Sequence, residues 1–198
     1  MLTAWRPGQA RGVSLVESLV VLAVSAVVLA TGAPALGRWV RDLEVRSSAG
    51  ALLSALQAAR TEAVTRNADV RLALGDAQGR IGWRLSCVRV TLHCPDTIRR
   101  QPVDGASRVR WGAAVVTAMP AFGTALVAGA AMPGQIGFDA MGAAPDIAAG
   151  TGLARIDVTH ADSADSADAH RLIVLVAAQG MARLCDPAAA AGHPEHCH

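Results

Sequence analysis

From Val13 to Gly37 the chain carries one charge, Glu17, and the twenty residues from Ser18 to Gly37 carry none. Nothing else in the sequence restricts the fold as strongly. At 1.5 Å per residue, about 20 helical residues cross a hydrocarbon core of about 30 Å. The run therefore predicts a membrane-spanning helix, which also accounts for a chain with 52% hydrophobic and only 17% charged residues. Residues 1–12 are short and polar, with Arg6 and Arg11 as their only charges. Basic residues ahead of the span predict that this leader stays inside and the C-terminal part lies outside.

Three kinds of segment could look like this. A secretory signal peptide has a core of about 7–15 residues followed by a small-x-small cleavage site. The run here is longer, with an acid in its first turn. An uncleaved anchor explains the length but leaves Glu17 without a reason. A carboxylate within a membrane segment costs about 2.5–3.5 kcal/mol on insertion scales, so a partner is expected. Gly12, then apolar Val13, then a short stretch ending in Glu17, resembles the third kind, the prepilin-type signal of the type IV pilin superfamily. That resemblance implies cleavage between Gly12 and Val13 by a prepilin peptidase and N-methylation of Val13. It also implies that the new ammonium of Val13 pairs with Glu17 of a neighbouring subunit, removing both charges from an apolar filament core. Pro34 stands where pilin helices commonly carry a kinking proline. Val13 replaces the usual Phe after the cut.

Beyond Pro34 the pattern becomes amphipathic. Trp39, Leu43, Ala49, Leu52, Leu53, Leu56, Ala63 and Val64 recur at helical spacing. The helix is expected to stop near Asn67 or Ala68. The remainder reads as strands: Val70–Leu74, a turn at 75–79, Ile81–Leu92, Arg108–Trp111, Gln135–Asp139 with a turn at Gly142, then Leu153–Val158 paired with Arg171–Val176. Residues 112–134 are rich in Ala and Gly and predict a long loop or weak strands. The Ser-Ala-Asp repeat between His160 and His170 predicts a flexible connection. The expected fold class is α+β, with a long N-terminal helix packed on an antiparallel β head. The expected segments are a leader (1–12), a membrane or filament-core helix (13–37), its amphipathic continuation (38–68) and a β-rich head (69–198).

The head narrows the resemblance. Leu56-Gln-Ala-Ala-Arg60, Glu62-Ala-Val64 and Arg66-Asn67 resemble the end of the helix in the GspH/FimT group of minor pilins and pseudopilins. Ile136-Gly-Phe-Asp139 with Gly142, and a late strand ending Gly180-Met-Ala-Arg-Leu-Cys185, fit the same group. The resemblance implies a low-abundance subunit near the tip of a type II secretion pseudopilus or a type IV pilus. It implies an inner-membrane anchor, a periplasmic head and other pilin or pseudopilin subunits as partners. Some FimT-like members bind DNA during natural transformation through a C-terminal Gly-Arg-x-Arg. The corresponding stretch is Gly180-Met181-Ala182-Arg183, which keeps only Arg183.

Charge is unevenly spread. Residues 80–110 hold seven Arg and two Asp, whereas residues 139–170 hold six Asp and one Arg. Arg99, Arg100, Arg108 and Arg110 could meet phosphates. A solvated basic face balanced by the acidic stretch is the favoured reading of them, and few aromatics are available for stacking bases. Cys87, Cys94, Cys185 and Cys197 suit disulfides in an oxidising compartment. Of the three possible pairings, Cys87–Cys94 with Cys185–Cys197 closes the shortest loops and is expected. His193, His196, Cys197 and His198 are ligand-type residues in a short tail with nothing visible to orient them. Asp162, Asp165 and Asp168 lack the alternating spacing of an EF-hand. No metal or cofactor is expected. The sequence has no Gly-x-Ser-x-Gly, no Walker-type loop and no His-Glu-x-x-His, so a non-enzymatic role is expected. A membrane-anchored β-domain outside any filament is the remaining alternative.

Overall fold

The computed structural model describes residues 14–161 and 170–198. The chain divides into two compact units, Met1–Val40 and Arg41–His198. Helix α1, Leu15–Arg66, supplies the described part of the first unit and the first element of the second.

In the second unit, α1 is followed by β1 (Val70–Leu74), β2 (Trp83–Cys87), β3 (Arg99–Gln101) and β4 (Val109–Val115). Then come β5 (Gly134–Phe138), a one-turn helix α2 (Pro145–Ala148), β6 (Leu153–His160), β7 (Arg171–Val176) and β8 (Ala182–Cys185). The strands form two antiparallel sheets. Sheet 1 has the order β3-β2-β1-β5 and sheet 2 the order β4-β6-β7-β8.

One core joins both sheets to α1. The buried stripe of the helix is Val45, Ala49, Leu52, Leu56, Ala59 and Ala63, spaced alternately by four and three residues. Trp39, Leu43 and Val64, expected from their spacing to be core residues, lie off this stripe and are exposed. Small residues at 49, 59 and 63 let strands approach the helix closely. Sheet 1 contributes Val70, Leu72, Leu85, Ile136 and Phe138, and sheet 2 contributes Trp111, Ile156, Val158, Leu172 and Val174. Trp111 Nε1 donates to Ser48 Oγ at 3.3 Å, so its indole nitrogen is satisfied inside this core.

The helix ends by a Schellman motif. Asn67 takes φ 49°, Ala68 N donates to Ala63 O (3.1 Å) and Asn67 N donates to Val64 O (3.2 Å). Asn tolerates the left-handed conformation this motif needs. Arg66 secures the same end: Nε donates to Glu62 Oε2 at 2.8 Å and Nη1 to His93 O at 2.6 Å.

Three sequence expectations change. The strand read from Ile81 to Leu92 ends at Cys87, because the Cys87–Cys94 disulfide and the Thr91–Cys94 turn close residues 88–93 into a loop. Arg99–Gln101 forms a short edge strand, although its polar composition gave no strand signal. Within 112–134, residues up to Val115 continue β4. The rest of that segment runs as an ordered loop beside β4, with Gly129 N donating to Trp111 O and Ala113 N to Ala130 O, both at 2.8 Å. The Ser-Ala-Asp connection lies outside the described residues.

Candidate assembly site

The described part of the first unit is helical, and from Ser18 to Ala30 it is uncharged on every side. An 18-residue window of α1 has mean hydropathy 2.3 and no buried residue, long and apolar enough to cross a membrane. Leu15, Leu19, Leu22, Val24, Val28 and Leu29 are all exposed. In water such a surface is unstable, so the helix requires lipid or other apolar helices around it. Glu17 sits in its first turn, the end at which a helix favours negative charge. Gly12 and Val13 lie outside the described residues. Pro34 falls within the continuous run of α1.

The head motifs read from sequence converge. Arg60 Nε of α1 donates to Gly142 O at 3.1 Å, in the turn after β5. Asp139 shapes that turn by accepting from Met141 N and Ala143 N, both at 2.9 Å. Gly180, between β7 and β8, takes φ 74°, and a Cβ there would lie 1.9 Å from Gly142 O. No side chain fits that space. Ala144 N donates to Ala178 O at 2.8 Å. Arg60, Gly142 and Gly180, more than a hundred residues apart at the extremes, therefore form one joint between the helix and the two sheets.

A second cluster escaped the sequence reading. Arg155 and Asp157 are buried on β6, on the face of sheet 2 away from α1. Arg155 Nε donates to Asp157 Oδ1 at 2.7 Å, and Arg171 Nη1 to Asp157 Oδ2 at 2.6 Å. The two guanidinium groups also donate to the carbonyls of Pro120, Ala121, Phe122 and Thr124. Leu126 N donates to Asp157 Oδ2 at 3.0 Å. Charges at alternate positions of the apolar Leu153–Val158 were the available signal: such a strand is buried on both faces only if something pairs the charges.

The remaining predicted residues scatter. Cys87 is bonded to Cys94 and Cys185 to Cys197. Arg99 and Arg100 are exposed on edge strand β3 of sheet 1, whereas Arg108 and Arg110 belong to the entry and body of β4 in sheet 2. Arg110 Nη1 donates to Ser107 O (2.5 Å) and Val109 O (2.9 Å). Arg183 lines an apolar groove of about 400 Å³ with Met119, Phe122, Leu175 and Met181, and its Nη1 stands 3.0 Å from His198 Nε2. His196 Nδ1 lies 2.8 Å from Ala189 O, and Glu195 N donates to His193 Nδ1 at 3.2 Å. Among the described residues no group of three or more His, Cys, Asp or Glu could hold a metal ion. Burial alone would raise the Asp76 carboxyl pKa, but hydrogen bonds from Arg80 and the Gln78 amide outweigh it and hold the group below its ordinary range.

Residues 48–180 match the family described as Type II transport protein GspH, about two-thirds of the chain. The chain belongs to the GspH family. It is thus a type IV pilin-like protein of the GspH/FimT type, in a family of structural subunits. Among solved structures it is similar to the type IV minor pilin FimU of Pseudomonas aeruginosa strain PAO1. That pair shares 17% identity over 78% of this chain and 96% of FimU, with TM-score 0.48. It is also similar to the minor pseudopilin EpsH from the Type 2 Secretion System of Vibrio cholerae, at 10% identity over 74% of this chain and 99% of EpsH, with TM-score 0.43. No curated protein matches it.

Proposed function

We propose that this GspH-family chain is a minor pseudopilin or minor pilin that helps to prime or cap a periplasmic filament. The observation that carries this reading is the all-round apolar helix through residue 30, joined in sequence to a helix with a one-sided buried stripe. The first needs an apolar environment and the second needs a folded head. The chain enters the inner membrane with residues 1–12 inside, and a prepilin peptidase cuts between Gly12 and Val13. Residues 13–37 form the filament core with a bend at Pro34, residues 38–68 carry the helix into the head, and residues 69–198 complete it. Glu17 accepts the N-methylated ammonium of Val13 from a neighbour.

Mass spectrometry of membrane-purified protein tests the processing. The expected mature chain begins at methylated Val13; a start at Thr3 or beyond Ala26, with Val13 unmethylated, rejects it. Glu17→Ala should leave membrane insertion intact and impair assembly, so normal filaments from that variant would refute the proposed pairing.

An assembly role is better supported than DNA uptake. Arg183 is turned to the chain's own C-terminal residue, and the other arginines are divided between two sheets. Both disulfides suit an oxidising periplasm.

A further inference from the structure

Val88, Val90 and Leu92 alternate with polar residues as in a half-buried strand, which is why the sequence predicts a strand from Ile81 to Leu92. The fold puts all three outside instead. They are 47%, 64% and 95% exposed, and Leu92 is the most exposed large apolar side chain among the described residues. All three stand on the loop 88–93, which the Cys87–Cys94 disulfide closes. Single exposed apolar residues are ordinary, whereas several on one short loop form a patch that needs a reason.

The loop is not free to fold these side chains away. Cys87 and Cys94 are both buried in the core of the head. Val88 N donates to Asp69 O at 2.9 Å, and Thr91 and Cys94 exchange backbone hydrogen bonds of 2.9 and 3.2 Å. Arg66 Nη1, at the end of α1, donates to His93 O at 2.6 Å. A covalent closure and these hydrogen bonds thus hold in one shape a loop whose apolar side chains do not join the core. Fixing a loop before it binds lowers the ordering entropy that a contact must overcome. Between the first two apolar residues stands Arg89, exposed, its side chain in no hydrogen bond or ion pair among the described residues.

We propose that the loop 88–93 is a docking prong for a different subunit of the filament, one that offers an apolar pocket with a carboxylate at its rim. Val88, Val90 and Leu92 enter the pocket and supply the affinity, and Arg89 meets the carboxylate and sets the orientation. Charge argues for this occupant. Two copies of the chain meeting loop to loop about a two-fold axis would bring Arg89 against Arg89, and like charges count against such a contact. A subunit that primes or caps a filament also meets other subunits in place of its own copies. This inference rests on the filament-subunit reading but is measured separately from processing and from Glu17.

The test places the photocrosslinking residue p-benzoylphenylalanine at Thr91, an exposed position of the same loop, in the full-length chain within the cell that makes it. After irradiation the chain is purified and its adducts are identified by mass spectrometry. The expected adduct is to a different chain that carries a prepilin-type N-terminus. Val90→Ser/Leu92→Ser should lower its yield by about tenfold, and Arg89→Glu by about threefold. Both variants should keep the unaltered melting temperature, because the changed side chains lie outside the core; should the double change fail to fold, Leu92→Ser alone takes its place. The proposal fails if the adduct is to a second copy, to phospholipid or to a protein without such an N-terminus. It also fails if no adduct forms, or if either folded variant crosslinks like the unaltered loop. The same spectra report the N-terminus, so methylated Val13 without the expected adduct would leave the filament reading standing and remove this one.

Discussion

The two sheets turn one face each to α1, but their outer faces differ. That of sheet 2 is covered by the loop through Phe122 and by the disulfide-bonded tail, where Ile173, Cys185 and Cys197 form a small second core with Phe122 and Leu175 packed on it. That of sheet 1 is open over Arg84, Arg100 and Gln135. Both faces carry arginines at strand positions, yet Arg155 is fully buried while Arg84 and Arg100 are exposed. Coverage decides what the charge does. Under a cover, the desolvated guanidinium needs a carboxylate and several carbonyls, and so it fixes the loop that supplies them. In the open, solvent satisfies it and it remains available to another molecule.

The strongest way to break this contrast is Asp157→Asn. It leaves Arg155 and Arg171 short of their shared counter-charge beneath the loop and should cost about 3–5 kcal/mol, read as a large fall in melting temperature. A loss below about 1 kcal/mol would mean that water reaches the cluster and the face is not truly covered. Next comes the tail. Replacing Cys185 and Cys197 together with Ser removes a bond that closes a sequence separation of 12 residues and should cost about 2–4 kcal/mol. Limited proteolysis should then cut after residue 185 while the sheet 1 side stays intact. The smallest effect belongs to the open side. Arg100→Ala should change stability by no more than about 0.5 kcal/mol, because it removes one of two like charges and no buried contact.

Acid sharpens the same comparison. Asp76, in the β1–β2 turn of sheet 1, has its pKa held down in the folded chain, despite the opposing effect of burial. Its stabilisation is therefore present above the unfolded value of about 3.9 and is lost as pH falls through the folded value. Asp76→Asn should lower stability modestly at neutral pH, where that contribution is present, and flatten the acid limb of a stability–pH curve below about pH 4, where the wild type loses it as well.

The helix was the most legible element, because its apolar run is long and the only acid of that run, Glu17, falls at one end. Its exact buried stripe was less so: Trp39, Leu43 and Val64 satisfy helical spacing as well as Val45 and Ala59 do, and only the placement of the sheets chooses between them. Most strands were visible from alternation. β3 was not, since Arg-Arg-Gln becomes a strand through pairing with Trp83–Leu85 and not through its own propensity. The joint at Arg60, Gly142 and Gly180 could be suspected from motif likeness, but the reason for the glycine emerged only when the Gly142 carbonyl was seen to occupy the place of a Cβ. The Arg155–Asp157–Arg171 cluster depends on backbone carbonyls thirty or more residues away in sequence, which no local pattern encodes.

The end of α1 also has a mechanical consequence. Only residues 67–69 separate the end of α1 from β1, and β1 lies inside sheet 1, paired over five positions with β2 and over five with β5. Force passed through that short link reaches β1 at its end. A strand loaded at one end between two partners must shear both ladders together instead of unzipping them bond by bond, the direction in which sheet 1 is strongest.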